Sequence, residues 1–99
     1  MLHVTILSRP GCHLCEVVLK MARRLQADRP FSLDYLDISG DADLSAQYGN
    51  RIPVVLIDEV EQLSGRITEA ELRRAVKRAR WRRPVSRILS RLGLTPNRR

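Results

Sequence analysis

The fold is decided by the stretch Ser8-Arg9-Pro10-Gly11-Cys12-His13-Leu14-Cys15, which joins an alternating apolar segment to a helical one. Before it, residues 2–6 alternate between apolar and polar, which predicts a short strand ended by the Pro10-Gly11 breaker. After it, apolar residues recur every three or four positions over residues 13–26, which predicts a helix. The two cysteines therefore lie where a strand turns into a helix.

The remaining chain adds three strands and two helices. Residues 31–38 form an apolar run that predicts a second strand. A helix capped by Asp41 should end near Tyr48, and residues 54–58 and 60–63 should form a hairpin after Pro53. Thr68 and Glu71 have the spacing of a capping box, which predicts a third helix that ends near residue 83.

This order, β-α-β-α-β-β-α, predicts an α/β fold with a four-stranded mixed sheet and flanking helices. The first strand, helix and strand should form a parallel unit with a right-handed crossover. Beyond Pro84, apolar residues at 85, 88, 89 and 92 share one helical face, which predicts a separate short basic C-terminal helix. We therefore expect one domain over residues 1–83 and a basic C-terminal extension over residues 84–99.

Length and cysteine content narrow the class of protein. A chain of 99 residues allows one hydrophobic core, and two cysteines do not make a secreted disulfide scaffold. The apolar run at the N-terminus is too short for a signal peptide, and no run is long enough to span a bilayer. We expect a cytoplasmic protein, and in that reducing compartment a close cysteine pair is typically catalytic or metal-binding.

The charge is divided unevenly along the chain. Residues 1–72 carry 7 Lys or Arg and 11 Asp or Glu, whereas residues 73–99 carry 11 basic residues and no acidic one. The two parts therefore have net charges of −4 and +11. A basic segment this dense predicts an anionic partner, and an alternative hypothesis is a non-enzymatic adaptor that binds such a partner through it.

The position of Cys12 and Cys15 at a helix start predicts unequal chemical roles. Unpaired N–H groups and the partial positive charge at a helix N-terminus favour a thiolate over a thiol at Cys12. The thiolate is the attacking species in thiol-disulfide exchange, so Cys12 is the predicted nucleophile. Cys15 lies one turn further on the same helix, so it is the predicted resolving cysteine.

Two other interpretations of the pair remain open. The cysteine pair could supply two of the four ligands of a zinc or iron–sulfur site. Such a site would need two further Cys or His ligands, and only His3 and His13 remain. Such a site would require a second chain or an outside thiol. Inert packing of the two cysteines is the third interpretation, and the strand-to-helix position favours redox chemistry over both.

The motif of residues 8–15 resembles the active-site segment of glutaredoxins, in which a basic residue stands three positions before the first cysteine. Arg9 has that position here, and the resemblance implies that it stabilises the Cys12 thiolate together with the helix terminus. Ile52-Pro53-Val54 likewise resembles the loop that carries a cis-proline in thioredoxin-fold proteins. The resemblance covers about residues 2–80. It implies a thioredoxin-like fold, thiol-disulfide oxidoreductase activity on a protein or small thiol disulfide, and a substrate groove at Arg9, His13, Ile52, Pro53 and Gly65.

This sequence also departs from the typical glutaredoxin pattern. His13 and Leu14 replace the usual proline and tyrosine between the cysteines. A single glycine, Gly65, followed by no acidic residue, stands where the family uses Gly-Gly and acidic residues to hold glutathione. We expect a monomer with no bound cofactor or metal, and glutathione is the candidate reductant.

Overall fold

The computed structural model describes the backbone of residues 2–91 and the side chains of residues 2–80. Its elements are β1 (His3–Ser8), α1 (His13–Asp28), β2 (Ser32–Asp37), α2 (Ala42–Tyr48), β3 (Val54–Ile57), β4 (Val60–Ser64) and α3 (Glu69–Arg91). The predicted order of elements is confirmed, with boundaries shifted by one or two residues in most of them.

The sheet is mixed and has the strand order β2-β1-β3-β4. β1 pairs with β2 in parallel, from His3 opposite Ser32 to Ser8 opposite Asp37. β3 runs antiparallel to β1, with Leu7 opposite Val54, and β4 runs antiparallel to β3. The end of β1 and the start of β3 therefore meet at one edge of the sheet, which is also the edge where the cysteines follow β1.

The main core lies between the sheet and two helices, α1 and α3. The spacing of apolar residues in these helices turns one stripe of each towards the strands. Its buried residues include Val4, Ile6, Val55 and Ile57 from the sheet, Val18, Ala22 and Leu25 from α1, and Leu72, Ala75 and Val76 from α3. A second, smaller cluster is distinct from this core. It consists of Leu7, Ile38 and Val54 and is covered in part by Leu44 and Tyr48 of α2.

The end of α3 differs from the prediction. The sequence predicts that this helix stops near residue 83 and that a separate helix follows Pro84, whereas α3 is continuous to Arg91. Proline inside a helix removes one N–H donor and crowds the carbonyl four residues earlier, at a cost of about 3 kcal/mol, which is why the sequence pattern predicts a break there; the arginine-rich and leucine-containing residues on both sides favour the helix and oppose that cost. Residues 92–99, the rest of the predicted extension, lie outside the described residues.

Polar contacts attach α3 to the body of the protein. An Arg24 guanidinium nitrogen lies 2.8 Å from the Glu69 carboxylate at the start of α3. Further along, Arg80 donates to the Pro30 carbonyl over 2.8 Å. Within residues 2–91, no helix has an apolar stretch long enough to cross a membrane.

Candidate redox site

Cys12 caps the N-terminus of α1. The chain leaves β1 at Ser8 and turns through Gly11, whose φ of 78° lies in the left-handed region that glycine adopts without steric cost. The Cys12 N–H donates to the Arg9 carbonyl over 3.3 Å, which closes this turn. Cys12 itself has extended backbone angles, and its side chain accepts a hydrogen bond from the Cys15 N–H.

Cys12 and Cys15 form a disulfide, with their Cα atoms 5.3 Å apart. The Cys15 N–H lies 3.2 Å from the Cys12 sulfur. Cys15 is fully buried, with 0% of its surface exposed, whereas Cys12 is partly exposed. Solvent and an incoming thiol or disulfide therefore have access to Cys12 first.

The electrostatic setting of Cys12 follows from its place at the end of a 16-residue helix. The first N–H groups of a helix lack intrahelical partners, and the aligned peptide dipoles leave partial positive charge there. In the reduced protein, the N–H of Cys15 would be directed at the Cys12 sulfur. This arrangement stabilises negative charge on that sulfur.

Arg9 connects the turn before Cys12 to α2. Its guanidinium donates a hydrogen bond to the carbonyl of Gly49, the C-cap residue of α2. This contact was not predictable from the spacing of Arg9 to Cys12. The thiolate-stabilising role that the resemblance implies for Arg9 stays a prediction.

The loop of Ile52 and Pro53 lies at the same edge of the sheet as the cysteines. Val54 pairs with Leu7, so Pro53 comes next to the end of β1, from which the cysteine-bearing turn departs. The Ile52–Pro53 peptide bond is cis, and Pro53 is buried. In the part of the chain that the structure describes, neither backbone group of Ile52 takes part in a hydrogen bond.

Gly65 supports the proline loop from β4. Its N–H lies 2.9 Å from the Pro53 carbonyl and 3.0 Å from that of Arg51, and its φ is 75°. The N–H groups of Gly65 and Thr68 thus both donate within the chain, since the Thr68 N–H donates to Glu71 over 2.9 Å.

The two histidines have different environments. His13 is exposed at the first position of α1. His3 lies at the opposite end of β1 from the cysteines, with its ring 2.8 Å from the Asp34 carboxylate and 2.8 Å from the Ser32 hydroxyl. A six-residue strand is roughly 17 Å long, so His3 cannot complete a metal site with Cys12 and Cys15 in the same chain. Among the described residues, no cluster of three or more metal-binding side chains occurs.

Arg51 is a residue of this edge that the sequence reasoning did not single out. Its guanidinium carbon lies 5.2 Å from the centre of the Tyr48 ring, and it forms an ion pair with Glu61. Its guanidinium beside Ile52 and Pro53 is therefore paired with the Glu61 carboxylate. Its place immediately before the Ile52-Pro53 dipeptide was the only signal in the sequence.

Comparison with known proteins agrees with this geometry. Residues 3–77 match the family described as the glutaredoxin-like domain (DUF836). The chain belongs to the glutaredoxin-like domain family. An uncharacterised protein of Mycobacterium tuberculosis is 30% identical to it over 91 residues, which cover 87% of this chain and 94% of the relative.

Solved structures place this glutaredoxin-like protein in the thioredoxin fold. A solution structure of a protein from Nitrosomonas europaea is 27% identical, with a TM-score of 0.64, and the match covers 72% of this chain and 86% of that one. Thioredoxin 1 from Thermosipho africanus has a TM-score of 0.59 at 16% identity, over 78% of this chain and 92% of that one. A glutaredoxin-like thioredoxin fold with a cysteine pair at disulfide distance supports a redox role.

Proposed function

We propose that this protein is a thiol-disulfide oxidoreductase in which Cys12 attacks and Cys15 resolves. The observation that carries the proposal is the unequal placement of the pair. Cys12 is partly exposed at the N-terminus of α1, and Cys15 is buried within disulfide reach behind it. An exposed thiolate next to a covered second thiol is the arrangement that two-step disulfide exchange requires.

The reaction proceeds through a mixed disulfide. In the reduced protein, the Cys12 thiolate attacks one sulfur of a substrate disulfide, forms a bond to it and releases the other sulfur as a thiolate that takes a proton from solvent. The Cys15 thiol then loses its proton and attacks the Cys12 sulfur, which releases the second substrate thiolate. The substrate gains two electrons, and the protein ends with the Cys12–Cys15 disulfide.

A reductant must then return two electrons to the protein. An external thiol that attacks Cys12 restores the reduced pair in two exchange steps, and it leaves as a disulfide. Glutathione is the candidate that the family resemblance supplies, with no bound cofactor required. A reducing thiol pool of this kind favours the cytoplasm as the location.

The proline loop is the proposed substrate groove. Ile52 has free backbone groups within the described structure, and Pro53 lies beside the end of β1, close to the departure of the cysteine-bearing turn. An extended substrate segment can pair with that backbone while its disulfide faces Cys12. In this proposal Arg9 and His13 border the groove, and Gly65 holds the loop in place.

Replacement of each cysteine by serine tests the assignment of roles. Cys12→Ser should abolish turnover of a small mixed disulfide in the presence of an external thiol. Cys15→Ser should still release the first substrate thiol and should accumulate a protein–substrate adduct that mass spectrometry detects. Both variants lose the same disulfide, so each controls for the loss of that bond in the other.

Alkylation of the reduced protein gives an independent readout. Because Cys15 has no exposed surface, iodoacetamide should modify Cys12 much faster, by at least about 10-fold. Peptide mapping after partial reaction measures the two rates. Equal rates at the two cysteines, or unchanged turnover in Cys12→Ser, would rule out this mechanism.

A further inference from the structure

Arg51 lies in the loop between α2 and β3, and its side chain contacts both α2 and β4. One guanidinium nitrogen, Nη1, donates to the Glu61 carboxylate of β4. The other, Nη2, donates to the Gln47 carbonyl over 3.4 Å, and the guanidinium carbon lies 5.2 Å from the centre of the Tyr48 ring. One side chain therefore joins the end of α2 to the edge strand of the sheet.

The main chain of Arg51 is held as well. Its N–H donates to the Tyr48 carbonyl over 2.8 Å, and its carbonyl accepts from the Gly65 N–H over 3.0 Å. The same Gly65 N–H donates to the Pro53 carbonyl over 2.9 Å. The residue immediately before Ile52 is thus fixed through its side chain and through its main chain.

A β-bulge in β4 determines which face of the sheet carries Glu61. Leu63 lies opposite Val55 of β3. The next pair is Glu61 and Leu56, so Gln62 is an extra residue in β4. Side chains of directly opposite residues in an antiparallel pair lie on the same face. Glu61 therefore shares the face of Leu56.

That face is the one on which α2 lies. Leu56 packs against the smaller buried cluster, and so does Tyr48 of α2. In a regular register Gln62 would lie opposite Leu56, and the side chain of Glu61 would be on the other face of the sheet. The bulge thus brings Glu61 to the side where Arg51 stacks on Tyr48.

The exposure of the Arg51–Glu61 pair shows on which scale it acts. The two side chains keep 42% and 34% of their surface exposed, so water screens part of their attraction. A pair of this kind has little weight against unfolding of the whole domain. It has more weight against a local opening of the loop, because few other contacts have to break for that motion.

We propose that Arg51 is a positioning residue that holds the backbone of Ile52 where an extended substrate segment pairs with it. Arg51 acts through the main chain of the loop, and the sulfur chemistry stays with Cys12 and Cys15. The role towards the substrate rests on the proposed oxidoreductase function. The attachment of the loop does not, so it can be measured separately.

Two disulfide substrates test the role towards the substrate. One is a short peptide whose cysteine is linked to β-mercaptoethanol, and the other is hydroxyethyl disulfide, which has no peptide backbone. Arg51→Gln should raise the KM of the peptide by about 5-fold at unchanged kcat, because a smaller fraction of molecules presents the Ile52 backbone correctly. The KM of hydroxyethyl disulfide should not change.

Arg24 and Glu69 supply the matched control. They form an arginine–glutamate pair with 2.8 Å between nitrogen and oxygen, which joins α1 to the start of α3. Arg24→Gln removes the same charge and a similar pair as Arg51→Gln does, so the two variants should have similar urea midpoints. Arg24→Gln should leave the KM of both substrates unchanged.

Charge exchange and a conservative variant test the contacts themselves. Arg51→Glu/Glu61→Arg should recover at least half of the rise in peptide KM that Arg51→Glu causes, because the exchange restores opposite charges across the same gap. Arg51→Lys keeps the charge but loses the planar fork and the stacking face. Its KM for the peptide should lie between those of the parent and Arg51→Gln.

Hydrogen exchange of the Gly65 amide reads the attachment of the loop without any turnover. This N–H donates to the carbonyls of Arg51 and Pro53, so its exchange requires the loop to move away. NMR should show exchange about 5-fold faster in Arg51→Gln than in the parent. The rate in Arg24→Gln should equal that of the parent.

Three results would overturn the proposal. The first is a Gly65 exchange rate in Arg51→Gln that equals the rate in the parent. The second is faster Gly65 exchange without a rise in the peptide KM, because the loop would then open with no effect on the substrate. The third is an equal rise in KM for both substrates. Absence of turnover in the parent would instead refute the proposed oxidoreductase function, and Gly65 exchange would still decide whether Arg51 holds the loop.

Discussion

Cys12 and Cys15 are three residues apart, yet their surroundings differ because only one of them belongs to the buried stripe of α1. That stripe consists of Cys15, Val18, Ala22 and Leu25, which the helical repeat places on one side. Cys12 precedes the first helical residue and has extended backbone angles, so it lies at the N-terminal end of α1 and not on one of its sides. The division into an accessible and a covered sulfur is thus a consequence of where α1 begins.

Arg9→Gln tests whether Arg9 acts on the fold or on the thiolate. The guanidinium donates to the Gly49 carbonyl, so we expect the free energy of unfolding to fall by about 1 kcal/mol or less. If the contact with Gly49 is the whole role of Arg9, the pH midpoint of Cys12 alkylation stays nearly constant, because the helix terminus is unchanged. Urea unfolding and the pH dependence of the alkylation rate measure the two effects.

Arg23→Gln is the control for Arg9→Gln, because Arg23 is exposed on α1 and forms no ion pair within the described side chains. Arg23→Gln should change neither the free energy of unfolding nor the pH midpoint of Cys12 alkylation. If Arg9→Gln raises the alkylation midpoint by about one pH unit or more, Arg9 stabilises the thiolate as the sequence resemblance implies.

At the scale of elements, the start of α3 is stabilised by a reciprocal pair of hydrogen bonds. The Thr68 N–H donates to the Glu71 carboxylate over 2.9 Å, and the Glu71 N–H donates to the Thr68 hydroxyl oxygen over 3.1 Å. The first of these bonds, with that from the Thr68 hydroxyl, lowers the pKa of Glu71 below its ordinary value of 4.5. The sequence predicted this capping box from spacing alone.

The lowered pKa of Glu71 predicts a pH dependence of stability. Since the folded state favours the charged carboxylate, the stabilisation is complete above the ordinary pKa of 4.5 and is lost as the pH falls through the lower, folded-state pKa. Glu71→Gln keeps an oxygen acceptor and removes the charge. It should therefore be less stable than the parent at neutral pH, and the difference should shrink on acidification.

Urea unfolding of Glu71→Gln and the parent at a series of pH values measures this difference. Glu59→Gln is the control, because Glu59 lies in the turn between β3 and β4 and forms no ion pair within the described side chains. If the difference in the free energy of unfolding between Glu71→Gln and the parent stays constant down to acidic pH, the charge of Glu71 does not stabilise the helix cap.

At the scale of the whole molecule, the redox site and the basic helix end belong to separate regions. The family match covers residues 3–77, and the packed stripe of α3 reaches Ala79. The predicted boundary between domain and extension, after residue 83, stays a prediction.

Removal of residues 84–99 tests that boundary. The shortened chain should unfold cooperatively, with a free energy of unfolding within about 1 kcal/mol of the full chain, because the described core side chains are all retained. Turnover of a mixed disulfide should be unchanged, because Cys12, Cys15 and the proline loop are retained. A large decrease in the urea midpoint would show instead that the removed segment packs on the core.

The sequence by itself determined the features that depend on neighbouring residues. Alternation and helical spacing gave the order of elements, the breaker Pro10-Gly11 placed the cysteines at a helix start, and the Thr68–Glu71 spacing identified a cap. Each of these is set by steric and hydrogen-bonding preferences over a few residues, which is why a pattern in the sequence is sufficient to predict it.

The tertiary structure decided the features that join distant parts of the chain. Arg9 binds the Gly49 carbonyl 40 residues away, and Gly65 uses its N–H to hold the loop of Pro53. The unbroken course of α3 through Pro84 to Arg91 is a further feature that the sequence pattern did not predict. These outcomes depend on the packing of whole elements, which local sequence preferences do not specify.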